Sequence, residues 1–288
     1  MPAFHSPGQF QSKDDDKAMY SISNGSLAVS ILDPVADQAR MGTRYCTGGY
    51  IFQVDDAQRG PLMSGPTYPD RFDVFNGQGI PDAFNLAPLS GPGGGKQVLL
   101  LGIGVCELDT NTVVEFCHWD VTQTETSIVM RTRHDFQGYQ VELERTVALL
   151  QRTVRSTTHA KNAGRSFTPV RWFPHPFYPQ PDTDELCRFN APVRLADSPG
   201  FAMAENGFIT RKAWPWTDGY FLPVDHQAQA NLVVTQRHPL LGLVAGTCSY
   251  VPAFMPIWGN HTTFSWEPFF ERTLGPGQSA EWGIDYDF

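Results

Sequence analysis

IVMRTRH (128–134), YQVELERTVAL (139–149), VRSTTH (154–159) and FTPVRWF (167–173) follow at short spacing through the middle of the chain. All four have the make-up of β-strands. They are rich in β-branched and aromatic residues, which suit a pleated surface, and Asn162-Ala163-Gly164 supplies a turn between the last two. Residues 141–151 come nearest to a helix, yet their Val and Thr content and the flanking alternation assign them to a strand. No helical apolar stripe lasts beyond about three turns. Toward the N-terminus, Leu27, Val29 and Ile31 alternate with small or polar residues, and Asn24-Gly25 reads as a hairpin turn. Residues 98–105 form a nearly continuous apolar run, expected as a strand buried on both faces. Residues 113–119 predict another strand. Toward the C-terminus the pattern returns at 231–235, 243–250 and 261–266. It closes with Trp282, Ile284, Tyr286 and Phe288 in strict alternation.

Strands at such intervals, with no internal repeat and no dividing linker, predict an all-β chain. The expected architecture is one large antiparallel β-sandwich over residues 19–288. Residues 1–18 read as a polar tail, in which Ser12-Lys13-Asp14-Asp15-Asp16-Lys17 resembles a protease-site scar from expression. Composition agrees with a packed β protein: 41% of the 288 residues are apolar, and 26 glycines and 23 prolines favour many turns. The net charge of −9 disfavours a nucleic-acid partner. No apolar run is long enough for a membrane span. Five cysteines (Cys46, Cys106, Cys117, Cys187, Cys248) show no CxxC spacing, so neither a disulfide framework nor a zinc ribbon is indicated. A reducing cytoplasm is the expected location. The run from Gly91 to Lys96 reads as a flexible loop, since Gln97 stands where a phosphate loop needs Ser or Thr. No HExxH, EF-hand or GxSxG pattern occurs, so no metal site or serine nucleophile is expected.

Two segments could carry chemistry. In Arg171-Trp172-Phe173-Pro174-His175-Pro176-Phe177-Tyr178-Pro179 a histidine lies between two prolines, directly after an apolar strand. The prolines cannot continue a ladder, so His175 is expected at a sheet rim, either as a turn histidine or as a general acid. In Thr263-Phe264-Ser265-Trp266-Glu267-Pro268-Phe269-Phe270-Glu271 a carboxylate stands among aromatics. Desolvation there would raise its pKa and suit a general base, unless Glu267 reaches water or a basic partner.

In combination these segments resemble the aldose 1-epimerase (galactose mutarotase) family. Residues 23–31 (SNGSLAVSI) resemble its first hairpin, and Phe173-Pro174-His175-Pro176-Phe177 its His-Pro-aromatic segment. Asp218-Gly219-Tyr220-Phe221 resembles its Asp-bearing turn. Glu267-Pro268, Leu274-Gly275-Pro276-Gly277-Gln278 and the last strand resemble its C-terminal region. The resemblance implies a β-supersandwich that interconverts the α and β anomers of a free sugar without a cofactor. It implies Glu267 as the base at the anomeric hydroxyl, His175 as the acid at the ring oxygen, and Asp218 holding a sugar hydroxyl. Arg71, in Tyr68-Pro69-Asp70-Arg71-Phe72, would match a sugar-binding arginine, and Trp258 is a candidate stacking face.

One departure bears on substrate. The family's earlier histidine, in a His-Gly setting, is missing from Leu101-Gly102-Ile103-Gly104-Val105-Cys106-Glu107. His118 is a candidate replacement from the next strand, Gln78 another polar candidate on a glycine-rich loop, and Arg44 a third. Three functional readings follow: an aldose 1-epimerase-like isomerase, a carbohydrate-binding protein without turnover, and an epimerase for phosphorylated or acidic sugars. The expected partner is a small-molecule sugar.

Overall fold

The computed structural model describes residues 19–65 and 78–288; the polar tail and the segment holding Arg71 lie outside them. Among the described residues the one helix is the single turn Gln38–Met41, and strands make up the rest of the regular structure. Ten strands form a large sheet, running in spatial order from Phe201–Met203 at one edge to Asp120–Gln123 at the other. At its centre Ser279–Asp287 pairs with Thr153–Asn162, which pairs with Tyr139–Leu150 and then Ser127–Phe136, all antiparallel. The alternation predicts this. In Tyr139–Leu150, Val141, Leu143, Val147 and Leu149 point into the core while their neighbours reach solvent.

Smaller sheets cover the inner face. One holds Phe270–Leu274, Thr168–Pro174 and Asp82–Ala83; another holds, in order, Tyr178–Pro179, Thr263–Trp266, Pro256–Gly259, Tyr220–His226 and Val193–Leu195. Aromatic rings weld the layers. Trp282 of the large sheet stacks on Phe270 at 4.1 Å and meets Trp172 edge-on at 5.9 Å, while Tyr286 stacks on Trp266 at 5.9 Å. Such pairs add about 0.5–1.5 kcal/mol each beyond the area they bury.

The apolar run at 98–105 departs from expectation. It is a hairpin, Gln97–Leu100 and Gly104–Glu107, folded at Leu101-Gly102-Ile103. Gly102 takes φ 72°, and a Cβ there would run into the Cys46 thiol. The turn reads as apolar because it is buried: Leu101 and Ile103 face the interior, and His134 Nε2 accepts the Gly102 N–H at 3.0 Å.

One residue breaks the core's chemistry. Arg145 occupies the inward phase of Tyr139–Leu150, between Met130 and Thr158 on the neighbouring strands, and is fully buried. Its guanidinium donates to the buried Asp82 carboxylate and lies over the Trp172 ring, 5.9 Å from its centre. Asp82 sits opposite Pro174, so this ion pair ties the large sheet to the strand that ends at His175.

Candidate active site

Thr168–Pro174 leads the chain out of the three-stranded sheet. Pro174 and Pro176 remove two donors, and the His175 N–H between them donates to Pro81 O at 2.8 Å. Two residues on, the Phe177 N–H donates to Gly79 O at 2.8 Å. The imidazole is clamped by rings: stacked on Phe177 at 4.2 Å and edge-on to Trp258 at 5.5 Å. Gly79 takes φ 67°, and any Cβ there would overlap the Ile51 and Phe52 carbonyl oxygens. Gly79→Ala should therefore lower stability by about 1–3 kcal/mol and loosen the His175 loop. Amide exchange at Phe177 that stays as slow as in the parent would count against this link.

Glu267 follows Thr263–Trp266 directly, and its N–H donates to Pro256 O at 2.9 Å. By strand parity Thr263, Ser265 and Glu267 share one face, with Phe264 and Trp266 on the other. Glu267 Oε1 lies 3.3 Å from His175 Nε2, and both groups are buried. Burial pushes the Glu267 carboxyl up to about 8, against the pull of Arg44, and the same burial with Arg44's positive charge pushes the His175 imidazole down to about 3. Near neutrality the pair thus holds one titratable proton. Carboxyl with neutral imidazole, and carboxylate with imidazolium, are two placements of that proton across a 3.3 Å gap.

The pair forms part of the wall of a cavity of about 340 Å³. Phe173, Phe221, Phe254, Trp258 and Phe269 supply its aromatic lining; Arg44 and Arg171 supply its charge. Arg171 pairs with Glu271 at 2.8 Å and lies over Phe269. Arg44 lies over the Tyr45 and Phe173 rings and pairs with no carboxylate among the described residues. The arrangement can donate and accept a proton beside an apolar ring face, next to the Arg44 guanidinium.

Of the residues expected from sequence, His175, Glu267, Arg44 and Trp258 meet at this cavity. Asp218 does not line it. Asp218 is exposed on the loop whose Gly219 abuts the Trp258 ring. Gln78 does not line it either; it is buried, its Nε2 donating to Phe52 O at 3.2 Å. His118 stands elsewhere: in the connection between Thr112–Phe116 and Asp120–Gln123, Trp119 turns inward to donate to Thr47 Oγ1 at 2.7 Å while His118 reaches solvent, 83% exposed and 3.5 Å from Asp120. It therefore does not replace the missing histidine in this cavity. Phe221 and Phe254, which stand in neither chemistry-bearing segment of the sequence, also line the cavity. Phe221 carried a signal, an aromatic out of phase with the buried Leu222 and Val224. Among the described residues no group of three or more His, Cys, Asp or Glu side chains is placed to hold a metal ion, and no helix is long and apolar enough to cross a membrane.

No family model matches the sequence, and no curated protein does. Solved structures do match. A galactose mutarotase related enzyme from Lactobacillus acidophilus aligns over 93% of this chain and 96% of its own, with TM-score 0.62 and 14% identity. A candidate aldose 1-epimerase from Escherichia coli K12 aligns over 93% and 98%, with TM-score 0.56 and 14% identity. A galactose mutarotase-like protein from Lactobacillus casei aligns over 93% and 99%, with TM-score 0.54 and 13% identity. The chain has the galactose mutarotase-like fold.

Proposed function

We propose that the protein is an aldose 1-epimerase-like isomerase that interconverts the α and β anomers of a free sugar. The observation that carries this reading is the direct pairing of His175 with Glu267, on one proton, in the wall of an aromatic cavity. Ring opening needs a base at the anomeric hydroxyl and an acid at the ring oxygen, and both oxygens are bonded to the same carbon. Two adjacent groups can therefore serve both. With the proton on His175, Glu267 takes the hydroxyl proton and His175 protonates the ring oxygen as the C–O bond breaks. Rotation about the bond beside the aldehyde, then the reverse transfers, gives the other anomer. Each positioned group contributes about 10²–10⁴-fold, ample for a reaction that already proceeds in water.

A second reading has its own observation. Arg44 lacks a carboxylate partner among the described residues and Arg171 lines the same cavity, which suits a phosphorylated or acidic sugar. Polarimetry on freshly dissolved α-anomers of galactose, glucose, arabinose and a hexose 6-phosphate decides between them. Acceleration of the neutral sugars supports the first reading, and of the phosphosugar alone the second. Sugar binding with mutarotation no faster than buffer would make the protein a carbohydrate-binding protein instead.

The rate should also report the shared proton. The one-proton state prevails between about pH 3 and pH 8, bounded by His175 below and Glu267 above. After subtraction of the buffer rate, kcat/KM should be level from about pH 5 to 7 and fall about tenfold per unit above 8, as the pair loses its only proton. A rate that climbs through pH 8 would contradict the assignment.

A further inference from the structure

The cavity does not end at Phe221. Cross-strand neighbours share a face of a sheet, and so do alternate residues along one strand. In the five-stranded sheet Ser265 lies opposite Trp258, Trp258 opposite Phe221, and Asp225 opposite Arg194. Along Tyr220–His226, Phe221, Pro223 and Asp225 therefore look the same way as Trp258 and Glu267. Leu222 and Val224 look into the core. A second cavity, of about 660 Å³, is lined by Arg194, Pro223 and Asp225 together with their strand neighbours Leu195, Val224 and His226, and by residues 252–255. Phe254 also lines the first. The two cavities thus meet at Phe254, with Phe221 of the first and Asp225 of the second on one face of the same strand.

The groove's chemistry is that of a saccharide track. Phe221 is 54% exposed and lies 6.5 Å from Phe254, an aromatic floor where the two cavities meet. Beyond it Arg194 and Asp225 oppose each other across the strands, both exposed and with no ion pair between them. A planar fork of donors beside a carboxylate acceptor matches vicinal hydroxyls. A ring-opening reaction at His175 and Glu267 requires a free anomeric centre there. Any second sugar unit must then hang from another hydroxyl of the reacting ring, leading away from the pair.

We propose that Phe221, Phe254, Arg194 and Asp225 form a second subsite, and that the preferred substrate class is a reducing disaccharide or longer oligosaccharide whose next unit lies along this groove. The inference rests on the anomer-exchange reading of the first cavity, and its test separates the two. Mutarotation of α-maltose and α-lactose is compared with that of α-glucose and α-galactose, in the parent protein and in Asp225→Ala and Arg194→Ala. Binding of maltose and lactose to Glu267→Gln is measured in parallel by calorimetry, with and without the same two substitutions. The disaccharides should show a KM at least about tenfold below the monosaccharides. Each alanine substitution should erase most of that gap and leave monosaccharide turnover unchanged. Equal KM values for one and two sugar units, untouched by either substitution, overturn the subsite and leave the anomer-exchange reading standing. Disaccharide binding weakened by both substitutions, without turnover of any sugar, supports the subsite and overturns that reading. Absence of both turnover and binding overturns both.

Discussion

Glu267→Gln should lose about 10²–10⁴-fold in mutarotation and at the same time gain stability at neutral and alkaline pH. The loss follows because an amide cannot take the anomeric proton. The gain follows from burial. The folded carboxyl titrates near 8, against 4.5 for an exposed one. Below 4.5 it is protonated in both states, and its contribution to stability is fully present. As pH rises, the unfolded chain ionises while the folded chain still holds its proton, so that contribution is lost progressively up to about 8. Glutamine does not titrate and escapes the loss. The mutant's advantage should grow from near zero at pH 4.5 to something on the order of 4 kcal/mol at pH 8. Urea unfolding followed by tryptophan fluorescence at several pH values measures it directly. Equal stability at every pH would mean that the carboxyl is hydrated in solution. His175 works in the opposite sense. Its folded pKa lies near 3, so its contribution is present above about 6.5 and is lost as acid charges the unfolded imidazole.

Arg145→Met should cost about 3–5 kcal/mol, because it leaves the Asp82 carboxylate buried without its cation. That is a large share of a total stability of about 5–15 kcal/mol. The mirror change, Asp82→Leu, strands the guanidinium and should cost a similar amount. The double variant removes both charges and should return close to the parent, about 3–5 kcal/mol more stable than either single one. Denaturant unfolding of the four proteins completes the cycle. Strictly additive losses would mean that the two side chains do not interact in solution. The bridge also sets the site: Asp82 registers with Pro174, one residue before His175.

Strand alternation carried most of the fold, because a sheet with one wet face writes its orientation into every second residue. Residues 98–105 read as one strand and fold as a hairpin, for a reason the same run contains. Gly102 and Gly104 mark a turn, but a buried turn has no polar residues to advertise it. His175 and Glu267 were legible because proline beside a polar residue, at the end of an apolar strand, forces the chain off the sheet. The 3.3 Å contact between them was not, since the two residues lie 92 positions apart in sequence and only the sheet order brings them together. Arg145 was legible in principle: a cation in phase with Val141, Leu143, Val147 and Leu149 must be buried. Its partner Asp82 lies on a two-residue strand with no pattern of its own. His118 failed as a site candidate because its neighbour Trp119 claimed the inward side.

The single face shared by Glu267, Trp258, Phe221 and Asp225 also governs how the protein can change. Positions 222 and 224 answer to the interior; 221, 223 and 225 answer to whatever lies in the groove. The two sets interleave along the chain but never share a side of the sheet. Substrate range can therefore drift at the odd positions while the even ones stay fixed. Insertion or loss of one residue within Thr263–Trp266 instead exchanges that strand's own two faces at once, sending the acid into the core and a tryptophan into the cavity. Selection can tune this groove residue by residue, but it can shift the frame only at the cost of the whole site.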